Sequence, residues 1–119
     1  MTDCIFCQPQ PYVLENEQAA AFFDIHPVSL GHFLIIPKQH YATIFDVPQT
    51  DKQAMADLID RAKTYLDERY QPDGYNIGIN VGAAAGQTVM HCHVHLIPRY
   101  HGDSPVSYTH LRAHETELH

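Results

Sequence analysis

The spacing of apolar positions changes twice along the chain, and each change predicts a different kind of element. In the first third the apolar residues come in short clusters. Tyr12–Glu15 and Gln18–Phe23 flank the polar run Glu15-Asn16-Glu17 and predict a hairpin of two short strands. Asp24–Gly31 contains Pro27 and Gly31 and predicts a loop, and the branched and aromatic run His32–Ile36 predicts a third strand. The period then lengthens. Ala54, Met55, Leu58, Ile59, Ala62, Tyr65 and Leu66 recur at helical spacing, which predicts one amphipathic helix to about Tyr70. Thr50-Asp51-Lys52-Gln53 has the spacing of a capping box at its start, and Pro72-Asp73-Gly74 stops it. Strands are predicted again over Tyr75–Val81 and Val89–Ile97, separated by the glycine-bounded loop Gly82–Gly86. Strands, one long helix, then strands predict an α+β domain. Its sheet is expected to be mainly antiparallel, of about five strands, with the helix packed on one face.

The chain has 119 residues, enough for one core without disulfide staples. The domain is assigned to residues 1–105. Residues 106–119 are expected to be a non-native tail, because Val106–Thr116 matches one reading frame of a transposase-based sequencing-library adapter. No apolar run approaches the roughly 20 residues that span a bilayer, and the opening residues do not resemble a signal peptide, so a cytoplasmic protein is expected. The formal charge of −7 excludes a grip on nucleic acid through a basic face. An anionic ligand must then be held by local donors such as backbone N–H groups, amides and imidazoles.

The unusual count is ten histidines. In His91-Cys92-His93-Val94-His95, strand alternation puts His91, His93 and His95 on one face and Cys92 and Val94 on the other. Three imidazoles in a row serve either metal ligation or nucleophilic catalysis at phosphorus. Near the N-terminus, Cys4-x-x-Cys7 has the spacing of half a tetrahedral zinc site.

With its companions, this pattern resembles the histidine-triad (HIT) superfamily of nucleotide hydrolases and transferases. The companions are Phe22-Phe23-Asp24-Ile25-His26-Pro27, the block Gly31–Lys38, and Asn80-x-Gly82-x-x-x-Gly86-Gln87-Thr88-Val89. The resemblance runs from Cys4 to Asp103. It implies that His93 attacks the α-phosphorus of a nucleotide and forms a covalent nucleotidyl-histidine. His95 then serves the phosphate and the leaving atom, and His32 orients the cluster. It further implies phosphate contacts from Asn80, Gly86, Gln87 and Thr88, a ribose contact from Asp24, and a base wall of Ile5, Phe6, Phe22 and Ile25. A purine is favoured. Members with the cysteine pair resemble a branch with a structural Zn²⁺, for which the ligands here are Cys4, Cys7, His40 and His91. Relatives that resemble this chain also pair as homodimers.

Dinucleoside polyphosphates and nucleoside phosphoramidates both fit as substrates. A nucleotidyltransferase fits less well, because the resembling transferases replace the third triad histidine with glutamine, whereas His95 is present. The alternatives are a nucleotide-binding sensor and a zinc-binding interaction module without turnover. Arg99 is a further candidate for contact with distal phosphates.

Overall fold

The computed structural model describes residues 4–103, so the expectation about residues 106–119 lies outside the described residues. Five strands form one antiparallel sheet: β1 (Leu14–Glu15), β2 (Ala19–Phe23), β3 (Phe33–Pro37), β4 (Gly74–Ile79) and β5 (Val94–Arg99), in the order β1-β2-β3-β5-β4. The single helix, α1 (Gln49–Tyr70), covers one face. The α+β expectation holds.

The hairpin forms where the polar run interrupts the apolar ones. Asn16 makes the turn, its Oδ1 accepting the N–H groups of Gln18 (3.2 Å) and Ala19 (2.8 Å). Strand β2 then alternates between two cores. Ala19 and Ala21 join Phe33, Ile35, Val94 and Leu96 under Met55, Leu58, Ala62 and Leu66 of α1. Ala20 and Phe22 join Leu34 and Ile36 on the opposite face, where Phe6 and Tyr12 cover them. Burial of such aliphatic and aromatic side chains contributes about 1.5–3 kcal/mol each.

Several element boundaries differ from those expected, and three of the differences stand out. The helix starts one residue early, with Pro48 as its N-cap, and the Thr50–Gln53 box does not form. Thr50 Oγ1 instead donates to the Asp51 carboxylate and Gln53 Nε2 to Asp57. A capping box does occur one turn upstream, where Thr43 and Asp46 bracket the 3-10 turn Ile44–Asp46. The strand expected over Tyr75–Val81 ends at Ile79.

The third difference matters most. The last strand begins at Val94 rather than Val89, because the segment before it finds other partners. Cys92 N–H donates to Tyr41 O at 2.7 Å, and the Gln87 amide donates to Val89 O at 2.9 Å. The strand also runs through Pro98 rather than stopping at it. Pro98 O accepts from Ser29 Oγ (2.7 Å) on the β3 side, so the missing N–H points the same way. The β3 ladder has already ended there, at the Phe33–Leu96 pair, and no ladder bond is lost.

Candidate functional site

The histidines lie on the sheet face away from α1. Cys92, Val94 and Leu96 point into the helix-side core, so the alternation expected from sequence persists through residues that make no ladder bonds. His93 and His95 sit with ring centroids 5.1 Å apart, and His95 is 5.2 Å from His32, which precedes β3.

Backbone groups fix the proton positions on these rings. His93 Nδ1 lies 2.8 Å from His91 O, and a carbonyl can only accept, so Nδ1 carries the proton and Nε2 the lone pair. Val28 N–H donates to His32 Nδ1 (3.1 Å), which leaves the His32 proton on Nε2. That nitrogen is 2.9 Å from His95 Nδ1 and 3.5 Å from Asp24 Oδ2. His95 Nδ1 therefore accepts, and the opposite nitrogen, Nε2, is N–H. One main-chain amide thus sets two tautomers in series.

The chain is consistent only if the rings are neutral, and burial keeps them so. It lowers the pKa of His32 against the pull of Asp24, and it lowers that of His93. His95 is lowered to about 4, by burial first and then by the neighbouring His93 and His32.

A cavity of about 260 Å³ opens onto His93 and His95. Its walls include Ile5, Phe6, Phe22, Asp24, Ile25 and Thr88. The sequence reading missed Gln10, Phe23, His26, Leu34 and Val89, which also line it. Gln10 stands between Pro9 and Pro11 and reads as part of a turn; its Nε2 donates to Ile5 O at 2.8 Å. Phe6 packs edge-on against His93 (centroids 5.2 Å apart) and Phe22 (5.7 Å). Asp24 Oδ1 accepts from His26 N–H at 2.8 Å.

The other residues implied as phosphate contacts lie outside the walls of this cavity. Gln87 is buried and its amide is engaged three ways, donating to Ala42 O (2.7 Å) and Val89 O and accepting from Gly82 N–H (2.8 Å). In this structure it is a strut for the glycine loop. Asn80 Nδ2 reaches Gly86 O at 3.4 Å, and Gly86 closes the turn Ala83–Ala85 with φ 96°. The Arg99 guanidinium is held by Asp103 and Asn76.

A second cluster adjoins the first. Ligand atoms of Cys4, Cys7, His40 and His91 lie within 4.8 Å of one another. Cys4 Sγ is 3.3 Å from His91 Nδ1, Cys7 Sγ is 3.3 Å from His40 Nδ1, and Cys7 Sγ is 3.6 Å from His91 Nδ1. Bonds of 2.3 Å to sulfur and about 2.0 Å to nitrogen give a zinc tetrahedron with sulfur–nitrogen edges of roughly 3.5 Å. The donors fit that figure. His91 Nε2 donates to Pro37 O (2.8 Å), which presents the Nδ1 lone pair to the thiols, the usual outer support of a metal-bound imidazole. The four side chains can hold a metal ion.

A family model described as HIT domain matches residues 7–102. The chain belongs to the HIT family. Among its HIT relatives is an uncharacterized HIT-like protein of Methanocaldococcus jannaschii, 40% identical over 87% of this chain and 84% of that protein. Adenylylsulfatase HINT3 of Arabidopsis thaliana is 34% identical over 98% of this chain, and adenosine 5'-monophosphoramidase HNT1 of Saccharomyces cerevisiae is 39% identical over 81%. This chain spans 62% of the length of each of those two enzymes. The family therefore includes nucleotide hydrolases. Among solved HIT structures, a zinc-bound histidine triad family protein from Mycobacterium smegmatis superposes with a TM-score of 0.78 at 37% identity, covering 87% of this chain and 79% of that one. No helix among the described residues is long and apolar enough to cross a membrane.

Proposed function

We propose that this protein hydrolyses a nucleotide at its α-phosphate through a covalent nucleotidyl-His93 intermediate. The supporting observation is the His93 Nδ1–His91 O hydrogen bond of 2.8 Å, which leaves a neutral nucleophilic nitrogen at Nε2 beside the cavity. The His93 Nε2–phosphorus bond forms as the bond to the leaving atom breaks. The leaving atom takes the bonding electron pair, a phosphoramidate nitrogen departing as the neutral amine from its N-protonated form, and the His95 Nε2–H donor holds it as it leaves. Water then attacks phosphorus, the phosphorus–nitrogen bond breaks, the lone pair returns to Nε2, and the water's proton goes to solvent.

The apolar wall of Ile5, Phe6, Phe22 and Ile25 accepts the flat base, a purine in this reading, and Asp24 faces the ribose hydroxyls. Thr88 is the phosphate contact favoured by its place in the cavity, with Asn80, Gly86 and Gln87 acting by shaping the loop behind it. Dinucleoside polyphosphates and nucleoside phosphoramidates are the two substrate classes. The Arabidopsis and yeast relatives, named for an adenylylsulfate and a phosphoramidate, favour small leaving groups.

Cys4, Cys7, His40 and His91 hold a structural Zn²⁺ in this reading. Four protein ligands leave no open position, so the ion's contribution is to fix the fold around it. The molecule works in the cytoplasm as a homodimer that pairs through α1 and the free edge of β4, where Ile77 and Ile79 are 57% and 39% exposed.

The test is turnover of adenosine phosphoramidate and of diadenosine tetraphosphate by the parent and by His93→Ala. The substitution is expected to lower turnover by on the order of a thousandfold or more. Acid-labile nucleotide should be trapped on the parent alone. An alanine variant as active as the parent refutes the mechanism. Binding without turnover in both proteins would indicate a sensor.

A further inference from the structure

The two residues between the cysteines are the ones that face the cavity. In Cys4-Ile5-Phe6-Cys7, the 3-10 turn Ile5–Cys7 directs both thiols to His40 and His91 and both apolar side chains to the pocket wall. The turn's own backbone bonds are local: Cys7 N–H donates to Cys4 O (3.1 Å) and Gln8 N–H to Ile5 O (3.2 Å). Side chains tie it to the body of the domain, with Phe6 against Phe22 and the thiols beside the two histidines. Ile5 is 48% exposed, so it has little packing of its own to hold it.

We propose that the metal site is a latch on the base wall, so that zinc occupancy and nucleotide affinity are energetically coupled through Phe6 and Ile5. This rests on reading the cavity as the base pocket. Four ligands from three separate stretches of chain fix the ends of a turn only three residues long, and Phe6 has no freedom to leave the pocket while both thiols are bound. Without the ion, the wall must order itself each time a base arrives, which weakens binding. Losing one aromatic stacking partner for a base corresponds to roughly a tenfold to hundredfold change in affinity.

Coupling of this kind is reciprocal: a nucleotide that prefers the latched wall must tighten zinc by the same factor. The experiment uses the zinc-loaded protein, AMP as the probe and a chromophoric chelator as the competitor, at equilibrium. Saturating AMP should raise the chelator concentration needed to remove half the zinc by about tenfold or more. In Phe6→Ala the zinc should still bind, and the AMP effect should fall to within about twofold of none. Calorimetry of AMP binding to zinc-loaded and chelator-treated protein gives the same factor from the other side.

An unchanged chelator midpoint in the presence of bound AMP overturns the proposal. So does an AMP effect of equal size in Phe6→Ala, which would route the coupling through the His91 carbonyl and His93 instead. If the zinc-loaded parent binds no AMP at all, the nucleotide reading itself fails, and that result is distinct from both. The competition does not require the metal-free chain to stay folded, since AMP must stabilise the zinc-bound form for the midpoint to move.

Discussion

Gly31→Ala tests how tightly the loop that delivers His32 is packed. Gly31 has φ 90°, where a side chain is strained by about 1–2 kcal/mol in the left-handed region. A Cβ built there would lie 2.9 Å from Tyr70 Cδ2, 3.0 Å from Cε2 and 3.2 Å from Pro98 Cγ. The first of these is too short to persist, so the Tyr70 ring or the loop must move, and overpacking of this kind costs about 1–3 kcal/mol. The stiffer unfolded chain returns about 0.4–1 kcal/mol. The net expectation is a loss of roughly 1–5 kcal/mol, and at about 4–8 °C per kcal/mol for a domain of this size the melting temperature should fall by at least about 4 °C. Thermal denaturation followed by circular dichroism reads this directly. Repeating the substitution in a Tyr70→Ala background separates the two terms, because the clash with the ring disappears while the dihedral strain stays. The coupling between the two sites should be at least about 1 kcal/mol. A parent-like melting temperature, or strict additivity in the double variant, refutes the reasoning.

Three further outcomes are expected. The folded-state pKa of His95, near 4, lies below its ordinary 6.5, so its contribution to stability is full above pH 6.5 and is lost as the pH falls toward 4. Between pH 7 and pH 5 this removes about 2 kcal/mol of unfolding free energy. Urea titrations should show His95→Phe losing about 2 kcal/mol less than the parent over that interval, the remaining slope coming from His32 and His93, whose pKa values burial also lowers; equal slopes would contradict the assignment. Gln87→Ala leaves Gly82 N–H, Ala42 O and Val89 O without their partner and should lower stability by about 1–3 kcal/mol or more, measured by the same titrations. An unaltered stability with a raised KM would instead make Gln87 a phosphate contact. Finally, Ile77→Lys on the exposed side of β4 should convert a dimer to a monomer in sedimentation velocity, and a parent that sediments as a monomer would remove homodimer pairing from the reading.

The sequence revealed most where one residue type repeats at a spacing that only one backbone geometry explains. The helical run from Ala54 to Leu66 and the alternating His91, His93 and His95 are of that kind, and both faces came out as the spacing implied. The helix start was misplaced because a Thr-x-x-Gln spacing is satisfied as well by local side-chain bonds from Thr50 and Gln53 within the first turns. The start of the last strand was misplaced because ladder partners are long-range. Nothing near Val89 says that Cys92 will bond to Tyr41 in a loop. The family blocks named Gln87, but not that its amide is consumed by three backbone groups. Val28, whose amide sets the His32 tautomer, has no signature, since any residue but proline carries that N–H. Gln10 was hidden between two prolines that speak only of a turn.

The run of uncharged imidazoles has a consequence for how a phosphate is greeted. In a molecule with a formal charge of −7, the described residues that line the cavity include no Lys or Arg, so they offer no side-chain cation there for dissolved ions to shield. Added electrolyte should therefore weaken the capture of an anionic ligand very little, and can speed it by damping the repulsion of the surrounding carboxylates. Selection for such a ligand then falls to directed dipoles at contact distance, which act only after the ligand has arrived.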